Sequence, residues 1–363
     1  MQARIIGLGI STPPHSIERE RSLEFAQTML YQPGKEARAL PALYRMTSVQ
    51  SRGSVLLLAD TEDDVISQDF YADAECPNDR GPSTQCRTDR FAVEALPLAS
   101  RACREALLDA KTDAETITHI VVVTCTGFYS PGLDVELIEE LGLNAETQRV
   151  QVGFMGCHAA INGFRVARGL IAAEPDAKVL MVCVEICTVH YQYGWDPDRV
   201  VSNAIFADGA AAVVLSGDGA AENHPAVTST GSCLVADSKE AMTWRIGNNG
   251  FAMTLSAEVP GLIEAKLRDY ITGWLAKSGL TISDISGWAA HPGGPRILRA
   301  VENSLELPPT ALAASRAVLS EHGNMSSATM LFILRRFLDS GVDRPWLMLG
   351  FGPGLEIEVA LLR

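Results

Sequence analysis

Residues 153–161 read GFMGCHAAI. Upstream, QRVQVGFM (148–155) alternates polar and apolar residues, the pattern of a half-buried strand. Downstream, from His158 to about Ala173, Ile161, Phe164, Val166 and Leu170 recur at helical spacing. Cys157 therefore falls at a strand-to-helix turn, in the first turn of the helix. There, unpaired N–H groups and the positive end of the helix dipole favour a thiolate. The alternative is a small buried hydrophobe, because free cysteine is among the most buried residue types. This stretch alone leaves both readings open.

The alternation of strand and helix continues on either side. Strands are expected at THIVVVTCTG (118–127), KVLMVCVEI (178–186) and ADGAAAVVLSG (207–217), with a helix around VELIEELG (135–142). Further on, ISGWAAHPGG (285–294) reads as a strand ending in a Pro-Gly turn, followed by a helix from Arg296 to Leu305. GNMSSATMLFILRRFLDSG (323–341) reads as a helix with a glycine at each end, and PWLMLGFGPGLEIEVALLR (345–363) as a hairpin. Several strands are apolar enough to be covered on both faces, which points to an α/β class with two similar lobes. The lobes are expected at 1–225, carrying the cysteine, and 226–363. The loop-like stretch SGDGAAENHPAVTS (216–229) lies at the junction. Residues 60–90 are acidic, turn-rich and aperiodic, a surface excursion before a long helix from about Thr88 to Ala110.

With 363 residues, 47% hydrophobic and 20% charged, the chain has room for two core-bearing lobes. A net charge of −14 gives no global attraction to nucleic acid or anionic membrane, so an anionic substrate needs a local basic patch. No window approaches the roughly 18 apolar residues of a membrane span, and no signal-peptide core is evident, which suggests a cytoplasmic protein. Eight cysteines scattered through a long chain argue against a disulfide framework. Cys183 and Cys187 resemble a metal half-site, but no second pair has matching spacing, so no metal is expected.

Three further elements carry polar chemistry. His291 ends a strand before a Pro-Gly turn, Asn324 stands at a Gly-led helix start, and Gly350–Gly354 (GFGPG) forms a tight turn. Each has an ordinary explanation: a turn residue, a helix cap, a bend. Taken with Cys157 they make a nucleophile, an imidazole and an amide donor. A papain-like protease has similar spacing, but this chain lacks its C-G-[SA]-C-[WY] signature. A cysteine-dependent acyltransferase is the other possibility.

GFMGCHAA, AIFADGAAAVV, GWAAHPGGPRIL, GNMSSATMLFIL and GFGPGLEIE, in this order, resemble the motif set of the type III polyketide synthases, the chalcone-synthase-like branch of the thiolase superfamily. RIIGLGISTPP and the region around Arg45 extend the resemblance more weakly over most of the rest. The resemblance implies a thiolase fold, layered αβαβα. It also implies a homodimer that takes an acyl-CoA starter and malonyl-CoA as substrates and needs no metal or other cofactor. Carried over by motif, Cys157 loads the starter, His291 and Asn324 complete the triad, and Phe206 is a gatekeeper. Met253 stands where plant enzymes keep a second gatekeeper phenylalanine. Cys125, Cys187 and His190 occupy cavity positions where plant enzymes carry threonines, and MTWRIGNNGF (242–251) looks like bacterial alkylpyrone and alkylresorcinol makers. Of the basic residues at the coenzyme A tunnel mouth, Arg45 carries over, and Arg52 is suggested by its charge alone. The implied function is decarboxylative extension of the starter and closure to a pyrone or a resorcinol-type phenol. An initiating ketoacyl-carrier-protein synthase is the alternative within the superfamily, and an acyl-CoA hydrolase stands further off.

Overall fold

The structure, a computed structural model, describes residues 2–31, 34, 38–59, 66–217 and 223–363. Its centre is one hydrogen-bonded sheet of nine strands. Their spatial order is Gly287–Ala290, Trp346–Gly352, Glu356–Leu362, Ala226–Leu234, Ala3–Ser11, Asp208–Ser216, Lys178–Ile186, His119–Thr124 and Gln148–Gly153. The two halves of this sheet join only where Ala3 and Arg4 pair with Val227 and Ala226. Each half mixes parallel and antiparallel pairs. His119–Thr124 runs parallel to both of its neighbours, and Trp346–Gly352 is parallel to Gly287–Ala290 but antiparallel to Glu356–Leu362.

Three apolar cores give the layering. The middle core packs helices Ala159–Ala173 and Thr329–Ser340 against both halves of the sheet: Val121, Val123, Met181 and Val213 come from one half, Ala289, Met348 and Ala360 from the other. On the far face of the first half lie helices Thr84–Asp109 and Leu133–Leu141, and on the far face of the second half Val259–Ala276 and Pro295–Leu305. The order helix, sheet, helix, sheet, helix is the expected αβαβα arrangement. It explains why strands such as Lys178–Ile186 are apolar on both faces: each covers a helix layer on either side. Fully buried side chains such as Phe164 and Leu331 each contribute about 2–3 kcal/mol by leaving water.

One boundary differs from the sequence reading. The long helix starts at Thr84 rather than near Thr88, because the Ser83 side chain caps it by accepting from the Cys86 N–H. Of the acidic excursion, residues 60–65 lie outside the described residues, as do residues 218–222 of the junction near 225. Among the described residues no helix is long and apolar enough to cross a membrane.

Candidate active site

Cys157, His291 and Asn324 line one buried cavity. All three come from ends of elements in the middle of the molecule. Cys157 sits between strand Gln148–Gly153 and helix Ala159–Ala173, on a turn where Gly156 has a φ of +88°. A side chain at Gly156 would lie 2.5 Å from Pro353 of the GFGPG turn, so only glycine lets the two turns pack together. His291 follows strand Gly287–Ala290, held by its N–H to Leu349 O (2.8 Å). Asn324 is not a helix cap, as its sequence setting suggested. It forms an isolated parallel bridge with Phe206, donating to Ile205 O and accepting from the Ala207 N–H, both at 2.9 Å. The helix begins only at Thr329, after a short 3₁₀ turn at Ser326–Ala328.

The Asn324 amide has a defined direction. Ser326 N–H donates to its Oδ1 (2.8 Å), which leaves Nδ2 facing Cys157 Sγ at 3.9 Å. Among the described residues neither ring nitrogen of the buried His291 has a hydrogen-bond partner at ordinary distance, although the Asn324 side chain is near enough to favour its charged form. The site thus presents a thiol, an amide donor and an uncommitted imidazole to one enclosed space.

The protonation states correct the expectation of a thiolate. Cys157 lies one residue before the helix N-cap, His158, and not within the first turn. Burial pushes its thiol up to about 11, reinforced by the Glu185 carboxylate and offset in part by Ser326 and Asn324. Burial, with His158 nearby, pushes the His291 imidazole down to about 3. Each group is therefore neutral at rest. Desolvation outweighs the dipole because a charge costs more in an enclosed apolar space than one N–H end repays.

A second cavity adjoins the first, and Cys157, Phe206, Met242 and Met253 line both. Its wall includes Cys125, Cys187, His190, Trp244 and Phe251. His190 is tied on both sides, donating from Nε2 to Thr126 O (2.7 Å) and accepting at Nδ1 from Phe251 N–H (3.1 Å). It stacks on Phe251 at 4.1 Å between ring centres and is a rigid, neutral part of the wall. Trp244 donates from Nε1 to Cys125 O (2.9 Å), and Trp244 and Met253 face each other across the two-stranded sheet Met242–Gly247 with Gly250–Leu255.

Arg45 is apart from these residues, exposed at a wider pocket of about 580 Å³ that shares Val201, Ile205, Leu255, Gly293 and Ile297 with the triad cavity. Arg52 does not belong at this mouth. It is buried, donating to Asn203 O, Phe206 O and Ser22 Oγ, so it serves the fold beneath Phe206.

Sequence reasoning missed three features. Arg296 and Arg299 stand exposed at the same mouth as Arg45, and none of the three is ion-paired among the described residues. The PRILR run after the Pro-Gly turn carried that signal. Glu185 is fully buried and accepts from Ser327 Oγ (2.5 Å), Thr126 Oγ1 (2.8 Å) and Cys125 N–H (3.0 Å). It ties the Cys125 turn to the segment after Asn324, and a lone carboxylate inside the apolar run KVLMVCVEI was its signature.

With this geometry in hand, known proteins supply a context. Residues 2–219 match the model of the chalcone and stilbene synthase N-terminal domain, and residues 226–363 match that of the C-terminal domain. The chain is 32% identical over 365 aligned residues to the alpha-pyrone synthesis polyketide synthase-like Pks18 of Mycobacterium tuberculosis, covering 98% of this chain and 90% of that one. Among solved structures it is similar to PKS-I of the brown alga Ectocarpus siliculosus, with a TM-score of 0.90 and 32% identity over 100% of this chain and 98% of that one. It is also similar to the C-terminal type III polyketide synthase domain of Steely1 from Dictyostelium, with a TM-score of 0.88 and 26% identity over 100% and 99% of the two chains.

Proposed function

We propose, from the premise that the chain belongs to the chalcone and stilbene synthase family and is a type III polyketide synthase, an acyltransferase, that Cys157, His291 and Asn324 are its catalytic residues. The observation that carries this is the fixed Asn324 amide facing Cys157 beside an uncommitted neutral imidazole. A starter enters as its coenzyme A thioester. His291 takes the Sγ proton as Cys157 attacks the carbonyl, and returns it to the departing coenzyme A sulfur. Malonyl-CoA then loses carbon dioxide, leaving an enolate whose oxygen accepts hydrogen bonds from His291 and Asn324 Nδ2. The enolate carbon attacks the Cys157 thioester, forming the C–C bond and releasing the sulfur. A neutral imidazole can serve both steps, as acceptor in loading and N–H donor in extension.

The pocket at Arg45, Arg296 and Arg299 is the route for coenzyme A. Three guanidinium groups without an ion pair among the described residues, in a chain of net charge −14, suit its phosphates, which Arg binds by charge-assisted hydrogen bonds. Phe206 and Met253 divide this route from the acyl cavity. That cavity is narrow, about 50 Å³, with a predominantly apolar wall, which supports an aliphatic starter admitted as Met242 and Met253 change rotamer. Closure to a pyrone follows the product named for the Pks18 relative, with a resorcinol-type ring the second outcome. The working unit is a homodimer in the cytoplasm, its two lobes being 1–225 and 226–363. The unpaired edge of strand Gln148–Gly153 supports the pairing.

The deciding experiment is Cys157→Ala assayed with starter and malonyl-CoA. Polyketide should disappear while slow malonyl-CoA decarboxylation persists, since the latter needs the two donors and not the sulfur. Unchanged polyketide output would remove Cys157 from the mechanism.

A further inference from the structure

Beside the nucleophile turn, three acceptor atoms converge. Asn162 Nδ2 donates to Glu358 Oε1 (3.0 Å), and Arg165 pairs with the other oxygen of that carboxylate. This fixes the Asn162 amide, so its Oδ1, 2.9 Å from His158 Nδ1, must accept a proton from that nitrogen. His158 is then the tautomer whose Nε2 carries a bare lone pair. That nitrogen is buried, has no hydrogen-bond partner, and lies 3.5 Å from Glu356 Oε2. One donor atom from each of His158, Glu356 and Glu358 lies within 4.8 Å of the others, the one such trio among the described residues. Glu358 is already answered by Asn162 and Arg165, but among the described residues no donor lies between His158 Nε2 and the facing Glu356 oxygen, and these two repel unless something electropositive sits there.

We propose that His158, Glu356 and Glu358 bind a divalent first-row transition-metal cation. Nitrogen and oxygen ligands at about 2.0–2.2 Å place neighbouring donors about 3–3.5 Å apart, so shifts of roughly 1 Å bring the trio to bonding distance. An imidazole whose other N–H is held by an oxygen, and a carboxylate oriented by a guanidinium, form the outer support that metal sites use. One imidazole with two carboxylates suits ions such as Mn²⁺ or Zn²⁺. The Glu356 side chain is 24% exposed and gives the ion a way in from solvent. At Gly352 a Cβ would lie 2.2 Å from Nε2, so glycine there leaves the imidazole its place. Because His158 follows Cys157 and both glutamates follow the GFGPG turn, the ion ties these two turns together. Its role is structural, although His158 adjoins Cys157 and lies near His291, so the ion also bears on the setting of the site.

The test uses the full chain, treated with a chelator and then titrated with Mn²⁺, chosen because it competes poorly for the exposed Cys76 and Cys86 thiols. Loss of the free-ion electron paramagnetic resonance signal should report one ion per chain, with a rise in melting temperature that grows with Mn²⁺ concentration. Replacing the buried His158 could unfold the chain, so the variant is the partly exposed Glu356→Gln. It should fold as wild type by circular dichroism, bind Mn²⁺ at least tenfold more weakly and lose the thermal shift. No binding at millimolar Mn²⁺, or binding unchanged in Glu356→Gln, would overturn the proposal and leave a proton shared between Glu356 and His158 as the bridge.

Discussion

The triad cavity and the acyl cavity share five lining residues, Ser202 among them, yet are built on different principles. Cys157, His291 and Asn324 hang from main-chain anchors: the ends of two sheet strands and a backbone bridge to Phe206. The acyl cavity is closed by the small sheet Met242–Gly247 and Gly250–Leu255, which stands outside the nine-stranded sheet and meets the catalytic region through the Trp244 side chain and a Gly354 N–H bond to Met242 O. Geometry that must not vary is fixed by the backbone, whereas selectivity is assigned to residues that can change without moving it. Phe206 and Met253 stand on the border.

The largest expected effect concerns the sulfur. With burial pushing the thiol up to about 11, Cys157 stays protonated at pH 7 in the free protein. Iodoacetamide should therefore modify the exposed Cys76 and Cys86 well before Cys157, and labelling of Cys157 should climb as pH rises toward 11. Peptide mapping in which Cys157 reacts first at pH 6–7 would mean that the resting pair is ionic and that the backbone-built cavity is more polar than it looks.

Next comes Asn324→Ala. It removes one of two donors to the enolate oxygen and should lower malonyl-CoA decarboxylation about 100–1,000-fold, roughly 3–4 kcal/mol. Acyl loading of Cys157, followed by mass spectrometry, should suffer far less. Equal loss in both steps would show that Asn324 positions the cavity instead of serving the enolate.

The paired change Arg296→Ser with Arg299→Ser tests the mouth. KM for acyl-CoA should rise about tenfold with kcat nearly constant, and the dependence of KM on salt should flatten. A kcat effect without a KM effect would place these arginines elsewhere in the cycle. Smallest is Met253→Phe, on the border itself. By narrowing the acyl path it should cut the ratio of kcat/KM for long over short starters by about fourfold per methylene excluded, the equivalent of about 0.8 kcal/mol. Decarboxylation should be unchanged. If the ratio stays put, Met253 does not touch the acyl chain.

Much of this was legible in the sequence, for identifiable reasons. Strands buried on both faces, such as VLMVCVEI, announce a layered α/β protein, and the glycine-bearing turns at Cys157 and His291 mark element ends. Asn324 misled because local sequence favours a cap, whereas its partner, Phe206, is distant in the chain; no local pattern encodes a two-residue bridge. The thiolate expectation failed because the dipole is a local feature and burial a global one. Arg52 failed for the same reason, since charge says nothing of depth, and three acceptors, Asn203 O, Phe206 O and Ser22 Oγ, absorb it. Glu185 could have been found, because a single acid in a buried strand demands partners.

The Phe206–Asn324 bridge has a mechanical reading. On the proposed function, gate and enolate donor share one rung of backbone, so a main-chain shift at Phe206 that widens the passage would also move Asn324, whose amide faces Cys157. Opening and donation are then two readings of a single coordinate. A chain too bulky for the passage would be penalised twice, once on admission and again at the bond-forming step.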